Sequence, residues 1–162
     1  MAELDRRTGT RILTAVRIPC PVETVFNYAT TPANWPEWHP ASRAVSGAAD
    51  HSLLVGEQVT EEFVAGGRKG SCVWQVTERK APYLWTIAAS APQGQARISY
   101  RLTRHGEETD FERELIYSVF GIWFRILDFL LIGRRMSGES LTAVQHLKER
   151  LEKYPMHGTA YM

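Results

Sequence analysis

The sequence predicts an α+β domain: a curved antiparallel sheet around a long C-terminal helix, with two short helices near the N-terminus. Three observations predict it. From residue 42 to 118, short alternating segments follow one another, separated by hairpin signals. No helical stretch lies between them, so the crossovers that parallel strands need have no room. Beyond residue 119 the apolar spacing turns helical and stays so to about residue 153. The 162 residues amount to about one domain at ~150 residues per domain, with a tail over 1–9, the domain over 10–154 and a second tail over 155–162.

Residues 11–18 read as the first strand, with Ile12, Val16 and Ile18 on one face and Arg11 and Arg17 on the other. Pro19 and Pro21 end it. Pro21 suits the first position of a helix, where its missing N–H would be unpaired anyway. Val22, Val25, Phe26 and Ala29 then recur at helical spacing until Thr31 and Pro32 stop the helix. A second brief helix or turn follows at 32–35, closed by the segment from Pro36 to Pro40.

The strand series is marked by its turns. Residues 56–64 lead to Gly66-Gly67, a hairpin signal with Arg68 and Lys69 at its tip. Residues 70–77 come next, then a turn at Ala81-Pro82, then 83–89, closed by 91–94. Within 96–102 the alternation puts Ala96, Ile98, Tyr100 and Leu102 toward a core and the arginines toward water. His105-Gly106 turns the chain into 109–117.

In the tail, Ser140, Val144, Leu147 and Leu151 form the buried stripe of a helix, and Lys148, Glu149, Arg150, Glu152 and Lys153 surround it. The run 119–132 is broken only by Gly121, Arg125 and Asp128. It is too short for a membrane span, which needs about 20 mostly apolar residues. It is expected to open the C-terminal helix near Phe120, apolar on nearly all sides, with Gly133 and Gly138 loosening the junction.

Composition narrows the function classes. Hydrophobic residues at 44% and charged residues at 23% exclude a disordered chain. A net charge of +1 provides no field for nucleic acid or an anionic membrane. The two cysteines, Cys20 and Cys72, form neither a disulfide framework nor a zinc ribbon, and no apolar leader follows Met1, so a cytoplasmic protein is expected. His39, His51, His105, His146 and His157 lack metal-ligand spacing. There is no nucleophile elbow and no Walker lysine pattern. No metal and no cofactor are expected.

The layout of strand, two short helices, meander and long helix resembles the helix-grip fold of the START-like superfamily, which includes polyketide cyclase/dehydrase and lipid-transport proteins and the birch-pollen-allergen relatives. The stretches that carry the resemblance are 18–26, 31–40, 55–57, 76–79 and 147–151, and the match runs from about Thr10 to Lys153. The resemblance implies a ligand-binding domain over 10–154 with an internal cavity. These motifs describe turns and packing, and fold alone carries little of the function.

The strand phases point residues into that cavity. Val59, Glu61 and Phe63 share a face, as do Cys72, Trp74 and Val76, and Ile98 with Tyr100. Phe111, Arg113, Leu115 and Tyr117 form another such set. Arg113 stands out, because an interior guanidinium needs a partner, and Glu61 is the expected counter-ion. Trp35, Trp38 and His39 form a second cluster in a Pro-flanked loop at the cavity mouth, with His39 titrating near neutral pH. Phe120, Trp123, Phe124 and Leu127 would add a helical wall. The leading expectation is binding of a hydrophobic or aromatic small molecule, with Arg113, Tyr100 and Tyr117 orienting its polar end. The enzyme alternative is a polyketide-cyclase-like aldol cyclase or dehydratase, in which Arg113 stabilises an enolate and a tyrosine or His39 shuttles protons. A third reading makes 119–132 an interaction surface for a partner, a membrane face or, in a homodimer, a second copy.

Overall fold

β1 (Thr10–Ile18) is followed by α1 (Val22–Ala29), a 3₁₀ turn (Pro32–Asn34) and α2 (Trp35–Trp38). An unbroken strand series comes next: β2 (Ser42–Gly47), β3 (Gln58–Ala65), β4 (Arg68–Lys80), β5 (Leu84–Ala91), β6 (Gly94–His105) and β7 (Glu108–Val119). Then comes the long helix α3 (Gly133–Glu152). The computed structural model describes residues 9–65, 67–92, 94–121 and 133–153.

All seven strands join one sheet in the order β1-β7-β6-β5-β4-β3-β2, and every pairing is antiparallel. The meander and its helices confirm the α+β helix-grip architecture. Register shifts at Ser42/Ala44 and Val76/Glu78 insert bulges that bend the sheet. Gly67, at φ +81°, supplies the left-handed residue that the β3–β4 hairpin requires.

The alternation read from β1 holds, since Ile12 and Ile18 are buried while Arg11 and Arg17 are exposed. Pro21 is shifted by one position from expectation. It is extended (ψ 147°) and stands just before α1, which begins at Val22. α1 buries Val22, Val25, Phe26, Tyr28 and Ala29.

α3 buries Ser140, Ala143, Val144, Leu147 and Leu151 along one face. Each large aliphatic side chain so buried contributes about 1.5–3 kcal/mol. Two further contacts tie the strand-to-helix linker to the rest: Thr109 Oγ1 donates to the Cys20 carbonyl at 2.8 Å, and Cys20 Sγ contacts the Leu151 carbonyl at 3.4 Å.

Of the expected helix start near Phe120, the described residues show only that 119–121 are not helical. Val119 is the last residue of β7, and Phe120, outside any helix, is 47% exposed. β7 continues because its pairing with Gly94 on β6 extends to Val119. The rest of the apolar run, 122–132, lies outside the described residues. No helix among the described residues is long and apolar enough to cross a membrane.

Candidate functional site

The concave side of the sheet, α2 and the start of α3 form a half-open cavity of about 590 Å³. Ligand sites commonly measure ~300–1,000 Å³. Every strand from β3 to β7 contributes to the lining, as do Trp35, Trp38 and His39 from the α2 region and Met136, Glu139 and Ser140 from α3. The period-2 alternation of the strands is what delivers Glu61 with Phe63, Cys72 with Trp74, Ile98 with Tyr100, and Arg113 with Leu115 and Tyr117 to one side.

Trp35, Trp38 and Tyr100 on one wall are backed by buried Trp85 and Phe111 in a connected aromatic group. Tyr100 stacks on Trp85 with centroids 5.3 Å apart, packs on Phe111 at 5.1 Å and meets Trp38 at 6.2 Å. Trp35 meets the edge of Trp85 at 6.2 Å. The indole N–H groups are treated unequally. Trp35 donates to the Ala29 carbonyl at 3.0 Å, Trp85 to the Leu53 carbonyl at 3.1 Å and Trp74 to a Glu61 carboxylate oxygen at 2.7 Å. The Trp38 N–H is buried without a protein partner.

Arg113 is the polar centre. It is buried at 3% exposure and faces inward from β7. One terminal nitrogen donates to Ser140 Oγ at 2.9 Å, the guanidinium lies against the Tyr100 hydroxyl, and Nε is buried without a partner. The expected ion pair with Glu61 is corrected: Arg113 makes no ion pair among the described residues, although its charge acts on Glu61 through space. Glu61 instead accepts from Trp74. Burial pushes the Glu61 carboxyl up from its ordinary value, opposed by Ser42, the Trp74 indole and Arg113. Burial, with Glu61 close by, also raises the Cys72 thiol to about 12, which removes it as a nucleophile at neutral pH. Burial raises the Tyr100 phenol to about 12 against the pull of Arg113, so this hydroxyl keeps its proton.

The expectation that His39 titrates near neutrality is overturned. Burial first, and the charge of Arg113 second, hold the ring well below 6.5, so it is neutral at physiological pH. The Ala41 backbone N–H donates to His39 Nδ1 at 3.2 Å, which places the ring proton on Nε2. His39 therefore offers a proton to the cavity and is not a base in this arrangement.

Of the residues singled out in the sequence, Trp38, His39, Glu61, Phe63, Trp74, Tyr100, Arg113 and Tyr117 line the cavity. Phe111 does not: it is fully buried behind Tyr100, because strand phase fixes its face but not its position along the strand. Phe120 also falls outside the lining, exposed at the end of β7. Trp123, Phe124 and Leu127 lie outside the described residues. Ser140 was legible only as a position on the buried stripe of α3; its being the one hydroxyl on that stripe was the available signal.

Residues 10–152 match the family described as polyketide cyclase / dehydrase and lipid transport. No curated protein matches the sequence significantly. Among solved structures, the protein TTHA0849 from Thermus thermophilus superposes with a TM-score of 0.70 at 16% identity, covering 88% of this chain and 97% of that one. A START superfamily protein from Mycobacterium smegmatis gives 0.65 at 14% identity, over 88% and 97% of the two chains. The di-domain ARO/CYC protein BexL from the BE-7585A biosynthetic pathway gives 0.66 at 17% identity, over 88% of this chain and 46% of its own. At such identities these likenesses establish the fold alone.

Proposed function

Because the chain belongs to the polyketide cyclase/dehydrase and lipid-transport family, we propose that it binds a hydrophobic or aromatic small molecule in its internal cavity. The observation that carries this reading is the cavity of about 590 Å³, in which an aromatic wall faces a single buried polar centre. Covering apolar ligand surface contributes ~25 cal/mol per Å², and the polar centre fixes the orientation of the molecule.

A cyclase- or dehydratase-like activity is the second reading. One observation favours it: Arg113, Tyr100 and His39 gather as hydrogen-bond donors, the arrangement that stabilises an oxygen as it gains negative charge. In that case His39 supplies a proton, and the base lies elsewhere.

Titration with the neutral fluorophore 1-N-phenylnaphthylamine tests the cavity reading. Saturable binding is expected, together with its loss when Leu115→Trp fills the cavity in a protein of unchanged circular dichroism. Fluorescence that rises without saturation removes the reading.

A further inference from the structure

We propose that the cavity selects ligands bearing a carboxylate, held by Arg113 among the donor groups of Trp38, His39, Tyr100 and Ser140. The inference deepens the cavity-binding reading and rests on it.

These five groups share one property: each has a proton to give. A guanidinium is a donor only, so its contacts with Ser140 Oγ and the Tyr100 hydroxyl occupy oxygen lone pairs and leave both hydroxyl protons available. Arg113 Nε and Trp38 Nε1 are buried and unpartnered. His39 carries its proton on Nε2, since Ala41 occupies Nδ1. Buried donors left without acceptors cost free energy each, and donors are seldom left so. A donor group in which the buried Arg113 Nε and Trp38 Nε1 lack acceptors is complementary to an acceptor-rich ligand head.

The number of donors favours a carboxylate over a hydroxyl or a ketone. A carboxylate has two oxygens and about four lone-pair sites, whereas a ketone presents one oxygen. A guanidinium matches it best of all, and charge-assisted bonds are the strongest available here. Arg113 also lacks an ion-pair partner among the described residues, so an incoming anion supplies the missing counter-charge. Arg68 and Lys69, from the tip of the β3–β4 hairpin, line the same cavity and favour entry of an anion. Two carboxylates, Glu61 and Glu139, also line it, and they limit the charge that can be accommodated. A monoanion fits this balance better than a phosphate dianion.

The experiment displaces 1-N-phenylnaphthylamine from the full chain with decanoate or with 1-decanol at pH 7. Decanoate should compete at least tenfold more strongly than decanol. Arg113→Gln should bring that ratio close to one. Glu61→Gln removes a repelling carboxylate and should strengthen decanoate severalfold relative to decanol, a gain that a damaged fold cannot mimic. Equal competition by the two in the wild-type protein overturns the carboxylate inference and leaves the cavity reading standing. Failure of the fluorophore itself to bind saturably overturns both.

Discussion

Arg113 on β7 donates to the Ser140 hydroxyl on α3 at 2.9 Å, a buried link between sheet and helix across 27 residues of chain. Most contacts of α3 are apolar and tolerate sliding, whereas this one has a direction and a length. It holds Arg113 and Ser140 side by side in the cavity lining.

Ser140→Ala removes the acceptor and leaves a buried charged donor without its partner. The loss should be on the order of 1–3 kcal/mol, measured by urea denaturation. Ser140→Thr, which keeps the hydroxyl, should recover most of it. Equal losses for both would mean that packing, not the hydrogen bond, sets the cost.

Trp38→Phe and Trp85→Phe form a matched pair, since both indoles are essentially fully buried. Trp85 loses its bond to the Leu53 carbonyl, while Trp38 has no protein partner to lose. Trp85→Phe should therefore destabilise more, by about 1–3 kcal/mol, in thermal or urea denaturation. The order for decanoate affinity should be reversed, with Trp38→Phe the weaker binder.

The half-buried, neutral His39 makes stability pH-dependent. Its folded pKa lies below 6.5, so below that value the unfolded chain binds more protons than the folded one. Stability from this group therefore rises with pH up to about 6.5 and is lost progressively as pH falls below it. His39→Gln should be less sensitive to acid than the wild type when denaturation midpoints at pH 5.5 and 7.5 are compared. Identical slopes would show that the ring is not held neutral.

Glu61 titrates above 4.5 and faces Arg113, Cys72, Tyr100, Trp74 and Ser42. As pH rises through that titration, the ionised carboxylate competes for Arg113 and repels a bound anion. Decanoate affinity should fall accordingly, with proton uptake on binding across the pH range in which Glu61 titrates. Glu61→Gln should flatten the dependence, measured by titration calorimetry in buffers of different ionisation enthalpy.

Much of this was legible in the residues themselves. Alternation over 96–102 and 111–117 correctly aimed Tyr100, Arg113 and Tyr117 inward, because a pleated strand leaves only two faces. Partnership was not legible. Glu61 on β3 stands four strands from Arg113 on β7, which is roughly 19 Å along a flat sheet at ~4.8 Å per strand, and only curvature brings the two to a common cavity. Phase gives a face, while distance depends on bending introduced by bulges that carry no clear sequence mark. The protonation of His39 was hidden for a related reason: burial and a long-range cation decide it, and neither is local to the Pro-flanked segment.

β1 pairs with β7 from Thr10 opposite Tyr117 to Ile18 opposite Thr109, whereas every other neighbouring pair of strands is consecutive in the chain. β1 is thus paired with the strand farthest from it along the chain. Hairpins from β2 to β7 form locally and fast, but Arg113 gains its second neighbouring strand only when a loop of nearly the whole domain closes. Until then β7 is an open edge, able to accept a β1 from another molecule. Exchange of that strand between chains is the misassembly to which this topology is most exposed at high concentration.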